Sequence, residues 1–326
     1  MVEDKPIDFT TLLQMTTETI ALAFKRTERI LASHSKIGCS VSGGADSDIM
    51  LDMLYRLDKD KKVEYYYIDT GLEMQATKDH IEFLKKKYGI EIKTIKPKVP
   101  IPLAVKKYGV PFMSKDVSRF VGTMQNHNFG FGENEKVKTI RARMWWNNES
   151  GGMFNVDTKP FLKEYMIDNP PNYAISEKCC FYAKKQPAHE IEKNYDLVCI
   201  GLRKGEGGVR ASKKSCFEEC GKGADKHYPV FWFLEADKKA YCNYFGVTHS
   251  RAYTEYGFKR TGCAGCPFNS KFDKDLEVLR KHEPKLAKAA ENIFGDSYEY
   301  SRGYKKFRFD MKHKNQMRLF ESEGEK

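Results

Sequence analysis

The sequence contains no apolar run that approaches a bilayer span, which needs roughly 20 residues. Its first residues, Met1-Val2-Glu3-Asp4-Lys5, lack the basic-then-apolar layout of a secretion signal. These two absences make the cytoplasm the expected location and leave no membrane among the expected partners. Internal repeats and low-complexity tracts are also missing, which excludes a repeat array. No Gly-Lys-Ser/Thr string occurs, so a phosphate loop of the Walker type is excluded. Disulfides are not expected either: the nine cysteines are odd in number and spread through a long chain in a reducing compartment. Their spacing is read instead as metal or redox chemistry, or as core packing.

An apolar fraction of 40% with 13% aromatics supports a sizeable core. The net charge of +11 suits a polyanionic partner, a nucleotide or a nucleic acid, although scattered lysines of this kind also make an ordinary solvated surface. The pattern predicts a helix over about Asp8 to Ser33, a buried strand at Ile37 to Val41, and an amphipathic helix through Met50, Met53, Leu54 and Leu57. A second strand follows at Val63 to Ile68. A helix over about Thr77 to Tyr88 stops at Gly89, and a third strand is expected near Glu91 to Ile95. A further helix at about Gln186 to Lys193 leads into a strand at Leu197 to Gly201. Strands alternating with helices predict an α/β fold with a doubly wound, mostly parallel sheet, Rossmann-like, whose ligand lies beyond the C-terminal strand ends. The expected division is an N-terminal helix (1–34), a nucleotide-binding core (35–227) with an insertion at about 125–171, and a helical, cysteine-bearing C-terminal region (228–326). The insertion carries Phe129-Gly130-Phe131-Gly132, Trp145-Trp146 and Gly151-Gly152, and reads as a cover over the core.

Between the first strand and its helix stands Ser42-Gly43-Gly44-Ala45-Asp46-Ser47. Glycines permit a tight turn and close approach of backbone to ligand. The unsatisfied N–H groups of the following helix then face an anion. Ser42 and Ser47 add hydroxyls, and Asp46 is placed to cap the helix or to hold a metal-bound water. With no lysine in the loop, the balancing positive charge must come from elsewhere in the chain.

This loop resembles the PP-loop of the adenine-nucleotide α-hydrolase superfamily. Asp69-Thr70-Gly71, with Thr77, His80-Ile81 and Leu84, resembles the second motif of the phosphoadenosine phosphosulfate (PAPS) reductase family. The Gly201-Leu202-Arg203 to Arg210 segment resembles that family's Gly-Leu-Arg…Arg stretch. The resemblance covers about residues 35 to 270. It implies phosphate binding by Ser42, Gly43, Gly44, Asp46 and Ser47, and adenosine contacts near Asp69 and Gly71. It further implies that Arg203 and Arg210 meet the anionic end of the substrate, a role that paired guanidinium donors suit.

Cys263-Ala264-Gly265-Cys266 is a two-thiolate turn, and Cys179-Cys180 is an adjacent pair far upstream. Together they resemble the 4Fe-4S site of iron–sulfur adenylylsulfate (APS) reductases, whose basic residue and proline after the pair are matched by Lys184 and Pro187. Cys216 makes a set of Cys180, Cys216, Cys263 and Cys266 an alternative, and zinc is the alternative metal. Cys39, Cys199 and Cys242, in apolar surroundings, read as core residues.

One departure separates this chain from thioredoxin-dependent reductases of the family: no cysteine follows Cys266, so their C-terminal nucleophile is missing. Glu219-Cys220-Gly221 echoes that motif only superficially. The leading expectation is therefore an ATP pyrophosphatase-type enzyme. It would use ATP and Mg²⁺ to adenylate an acceptor that sulfur then attacks, as in DNA phosphorothioation-like sulfur transfer, with a nucleic acid and a sulfur-donor protein as partners. The alternative is an APS/PAPS reductase that releases sulfite. A second alternative is a non-catalytic nucleotide- or nucleic-acid-binding subunit, supported by the basic tail (Lys305, Lys306, Arg308, Lys312, Lys314) and by Trp145 and Trp146 as base-stacking aromatics.

Overall fold

The structure is a computed structural model that describes residues 5–149, 155–207 and 210–323. The Gly151-Gly152 pair of the insertion, and Gly208-Val209 of the Gly201 to Arg210 segment, lie outside the described residues. The chain divides into two compact units, Met1–Lys98 with Lys184–Cys263, and Val99–Ala183 with Ala264–Lys326. This division differs from the linear one expected from the sequence. The 228–263 stretch belongs to the sheet unit, and the 125–171 segment lies wholly within the other.

The first unit is built on six strands: β1 (Ile37–Val41), β2 (Val63–Ile68), β3 (Ile92–Ile95), β4 (Leu197–Ile200), β5 (Phe217–Glu218) and β6 (Asp225–His227). Their order is β3-β2-β1-β4-β6-β5, with every pair parallel except β5 with β6. Ile37 of β1 lies opposite Val63 of β2 on one side and Leu197 of β4 on the other. The chain runs outward from β1 in both directions, so the crevice beyond β1 and β4 is the topological switch point. β1 is central and buried except at half-buried Ser40, with Ile37, Cys39 and Val41 apolar on one face. Gly38 in its middle is required by space, because a Cβ there would sit 2.6 Å from the Tyr195 ring.

Two helices stand where one was expected at the N-terminus, Phe9–Met15 and Glu18–Ala32. Thr17 caps the second, its hydroxyl accepting from the Ile20 amide, and a cap ends whatever precedes it. The Ala45–Leu57 helix buries Ile49, Met50, Leu51, Met53 and Leu54 between the sheet and the neighbouring helices. The Gln75–Tyr88 helix ends on Gly89 at φ 62°, a left-handed C-terminal stop.

His227 of β6 is buried, with Nε2 2.9 Å from the Thr27 hydroxyl and Nδ1 3.0 Å from the Cys216 carbonyl. Burial pushes its pKa down to about 4, against the pull of the Cys216 carbonyl. The unfolded chain takes up a proton near pH 6.5 that the folded chain refuses until about pH 4. The stabilisation is complete above pH 6.5 and is lost as pH falls through that window, a change of about 3 kcal/mol. Urea midpoints at pH 7.5 and pH 4.5 are expected to fall further in the parent than in His227→Gln; equal losses would remove this residue from the acid response.

The second unit is helical, with segments including Ile101–Tyr108, Lys115–Asn126, Ile140–Trp146, Phe272–His282 and Pro284–Glu323. Its core is aromatic. Trp145 and Trp146 are each only 3% exposed, and Trp146 meets Phe129 and Phe131 edge-on. The tryptophan pair therefore serves the core and offers no face to a base, which corrects the stacking role considered for it. No helix among the described residues is long and apolar enough to cross a membrane.

Candidate active site

The Ser42–Ser47 loop lies at the C-terminal end of β1, inside the switch-point crevice of the first unit. Gly43 takes φ +66°, a conformation costly for any side chain, and a Cβ there would stand 2.8 Å from Thr77 Cγ2. Gly44 is the N-cap of the Ala45–Leu57 helix, which has no side-chain cap. The loop is closed from within: the Ser42 amide donates to Ser47 Oγ at 2.9 Å. From outside, the Ala45 amide donates to Tyr253 Oη at 3.3 Å, and the Thr261 amide to the same oxygen at 3.2 Å. Gly201, just beyond β4, approaches so closely that a Cβ would lie 2.9 Å from the Ser47 backbone nitrogen. The Gly201–Arg203 segment and the Ser42–Ser47 loop are thus one wall, which only glycine at position 201 permits.

Asp46 does not cap the helix. Its carboxylate accepts from Arg203 Nε at 2.9 Å and pairs with Lys238 Nζ at 2.9 Å. Arg203 is further tied to Glu235 at 2.7 Å and to the Phe233 carbonyl at 3.4 Å. Burial alone would weaken the Arg203 charge, but the Asp46 hydrogen bond reverses the effect and raises its pKa. Arg210 pairs with Glu206, which also holds Arg260 at 3.1 Å. A cavity of about 780 Å³ opens here, lined by the loop and by Arg203, Arg210, Lys238, Lys239, Lys259 and Arg260. Against these six cations stand three carboxylates, Asp46, Glu206 and Glu235. The volume suits a nucleotide-sized ligand, and the excess of positive charge supplies what the loop itself lacks.

Asp48, one helical turn into the same helix and fully buried, was not singled out from the sequence. His249 Nδ1 stands 2.9 Å from its Oδ2, and His80 Nε2 stands 3.0 Å from the same oxygen. The other face of His249 meets Cys242, with Nε2 to Sγ at 3.5 Å. Burial opposes charge on His249, but the Asp48 hydrogen bond and the Cys242 contact carry its pKa up to about 9. Cys242 thus lines the cavity and is not purely a core thiol, a correction to its expected role. Cys39 and Cys199 are core residues, fully buried, and burial pushes both thiols up.

The second motif follows β2. Asp69 accepts the Gly71 amide at 3.0 Å and pairs with Lys78 at 3.1 Å. Thr70 donates to the buried carboxylate of Glu73 at 2.7 Å and lies 3.9 Å from Cys263 Sγ. Neither Asp69 nor Gly71 lines the cavity described above. Of the expected metal ligands, Cys216 and Cys263 belong to the first unit, and Cys179, Cys180 and Cys266 to the second. Among the described residues no group of three or more His, Cys, Asp or Glu side chains is placed to hold a metal ion.

The chain is similar to an uncharacterized protein of Methanocaldococcus jannaschii, 26% identical over 84% of this chain and 45% of that protein. It is also 27% identical to the adenosine 5'-phosphosulfate reductase of Neisseria meningitidis, over 32% of this chain and 42% of that enzyme. It matches less than half the length of either relative. Among solved structures, the phosphoadenylyl-sulfate reductase of Candida auris in its phosphate complex aligns over 81% of this chain and 96% of its own, at 17% identity and TM-score 0.44. Residues 36–128 match the family model of the phosphoadenosine phosphosulfate reductase domain. That match contains β1, the Ser42–Ser47 loop and the Asp69–Gly71 motif, so this segment of the chain is similar to that domain.

Proposed function

We propose that this protein is an ATP pyrophosphatase-type enzyme that adenylates an acceptor, releases pyrophosphate and opens the adenylated position to attack by sulfur. The observation that carries the reading is the cavity on the Ser42–Ser47 loop, where six cationic side chains surround a helix N-terminus. In this reading the backbone amides at the start of the Ala45–Leu57 helix take the leaving pyrophosphate. Arg203 and Lys238 turn from Asp46 to phosphate oxygens as the ligand enters. Mg²⁺, when bound, supplies neutralisation of the leaving charge. Asp46 is the loop carboxylate that its departing partners would free to hold a metal-bound water.

Nucleic acid is the favoured acceptor, and a surface of the second unit supports it. There Tyr108 and Tyr182 stack at 4.5 Å, Lys107 and Lys178 stand over the Tyr108 ring at 5.2 and 5.3 Å, and Phe181 is 45% exposed. Aromatic rings interleaved with cations suit a single strand. A sulfur-donor protein would complete the reaction. The proposed 4Fe-4S centre, with zinc as its alternative, is checked by iron, acid-labile sulfide and zinc analysis of anaerobically purified protein.

The test is a product assay with ATP, APS and PAPS in parallel, with Mg²⁺, a thiol and single-stranded nucleic acid present. AMP and pyrophosphate from ATP are expected. Sulfite from APS or PAPS, without AMP formation from ATP, would overturn the reading in favour of a sulfonucleotide reductase. Cys242, a thiol in the same cavity, gives that second reading a nucleophile which the C-terminal segment does not.

A further inference from the structure

We propose that Cys242 is a nucleophilic thiol of this site, that His249 takes its proton, that buried Asp48 positions His249, and that its substrate is the outer sulfur of a persulfide.

Three observations carry this. Cys242 Sγ and His249 Nε2 are 3.5 Å apart, the contact expected of a thiol and its base. His249 Nδ1 is 2.9 Å from Asp48 Oδ2, which directs the imidazole so that Nε2 is the nitrogen offered to sulfur. Asp48 is wholly buried, with His80 Nε2 3.0 Å from the same oxygen, so the orienting carboxylate is shut off from solvent. The Asp48 and Cys242 contacts raise the His249 pKa to about 9 against burial, so the proton is favoured on the imidazole and the pair on its thiolate–imidazolium form. Cys242 and His249 both line the cavity that contains the phosphate loop, so the thiol and the nucleotide site share one space.

The step balances without an external oxidant or reductant. The Cys242 proton passes to His249 Nε2, and the sulfur attacks the outer sulfur of a persulfide R–S–SH. A new S–S bond forms at Cys242, the donor S–S bond breaks, and the donor leaves as a thiolate that takes up a proton. Cys242 then carries one added sulfur atom. This deepens the sulfur-transfer reading, on which the choice of a persulfide over other electrophiles rests. Uptake of sulfur itself needs neither ATP nor acceptor.

The experiment uses the full chain, purified anaerobically and exposed to inorganic polysulfide, followed by alkylation and peptide mass analysis. The Cys242 peptide is expected to gain the mass of one sulfur, and iodoacetamide is expected to alkylate Cys242 at least about 10-fold faster than in His249→Asn. Asp48→Asn is expected to slow the same reaction, and the conservative His249→Gln to leave it slow. Pyrophosphate is expected to protect Cys242, since it would fill the shared cavity. Circular dichroism of each variant separates lost reactivity from lost fold, and Cys242→Ser checks the site of labelling. No sulfur on Cys242, or an alkylation rate unchanged in a folded His249→Asn, would overturn the proposal. Addition of a sulfonate from APS in place of sulfur from polysulfide would overturn its choice of substrate. Sulfur uptake without AMP formation in the product assay would leave this inference standing and remove the adenylation reading; AMP formation without uptake would do the reverse.

Discussion

Arg203→Ala is expected to lower AMP formation from ATP by about 10²–10³-fold while leaving the circular dichroism spectrum unchanged, the usual scale for removing one fixed charge-stabilising donor. Arg203 is only 11% exposed and is fixed before any ligand arrives, by Asp46 at 2.9 Å and Glu235 at 2.7 Å. A guanidinium held in this way loses little freedom when it turns to phosphate, so its loss falls mainly on the rate. The measurement is pyrophosphate release at saturating ATP, with Arg203→Lys as a partner variant. Lysine restores the charge but not the fork that spans Asp46 and Glu235, and a partial recovery is expected. Activity within about threefold of the parent would show that the anionic leaving group is stabilised elsewhere in the cavity.

Asp52→Ala is expected to cost about 3–5 kcal/mol of folding stability, the scale for breaking a buried ion pair on one side. Asp52 is fully buried on the Ala45–Leu57 helix. It accepts from Arg56 at 2.8 Å one turn later, from Tyr88 Oη at 2.9 Å and from Tyr241 Oη at 2.8 Å. Alanine would take the carboxylate from a nearly buried guanidinium and the acceptor from two buried hydroxyls, a costly loss at a buried site. Urea unfolding reads the loss directly. Asp52→Asn keeps acceptors for the tyrosines and is expected to fall between the two. A loss below about 1 kcal/mol in the alanine variant would mean that Arg56 finds another acceptor or reaches water. Because Asp48 lies one turn before Asp52 on the same helix, loosening this network is also expected to disturb the site at His249.

The strand, loop and helix from Ile37 to Leu57 were legible because each signal is local. A short apolar run, two glycines and a helical repeat of apolar residues need no distant partner to be recognised. The same holds for Gly89, whose stop signal lies in the residue itself. β5 and β6 were not legible, because strands of two and three residues show no alternation. The break at Thr16-Thr17 was missed because apolar spacing continues on both sides of it, although Thr17 is an ordinary capping residue.

The loop and Arg203, which share one cavity, were singled out from the sequence, and most of what surrounds them was not. Asp48 and Asp52 read as polar positions of an amphipathic helix. Their partners Tyr88, Tyr241 and His249 come from 36 to 201 residues away, and no local pattern announces them. One signal was available: the two carboxylates are four residues apart in a helix whose intervening residues Ile49, Met50 and Leu51 are all apolar and buried. Cys242 was read as core because Tyr241, Tyr244 and Phe245 flank it. The Glu235–Phe245 helix turns that position toward the cavity, and the chain past Gly246 returns His249 to it.

By itself the sequence determined a parallel α/β core and a glycine-rich loop without a lysine at the end of its central strand. These follow from periodicity, glycine and residue charge, which act over a few residues. Only the tertiary structure decided which cations meet the loop, that Trp145 and Trp146 are core, and that Cys242, His249 and Asp48 stand in line. The reason is physical: burial and electrostatic partnership are set by segments far apart in the chain, and they exist only once the fold has brought those segments together.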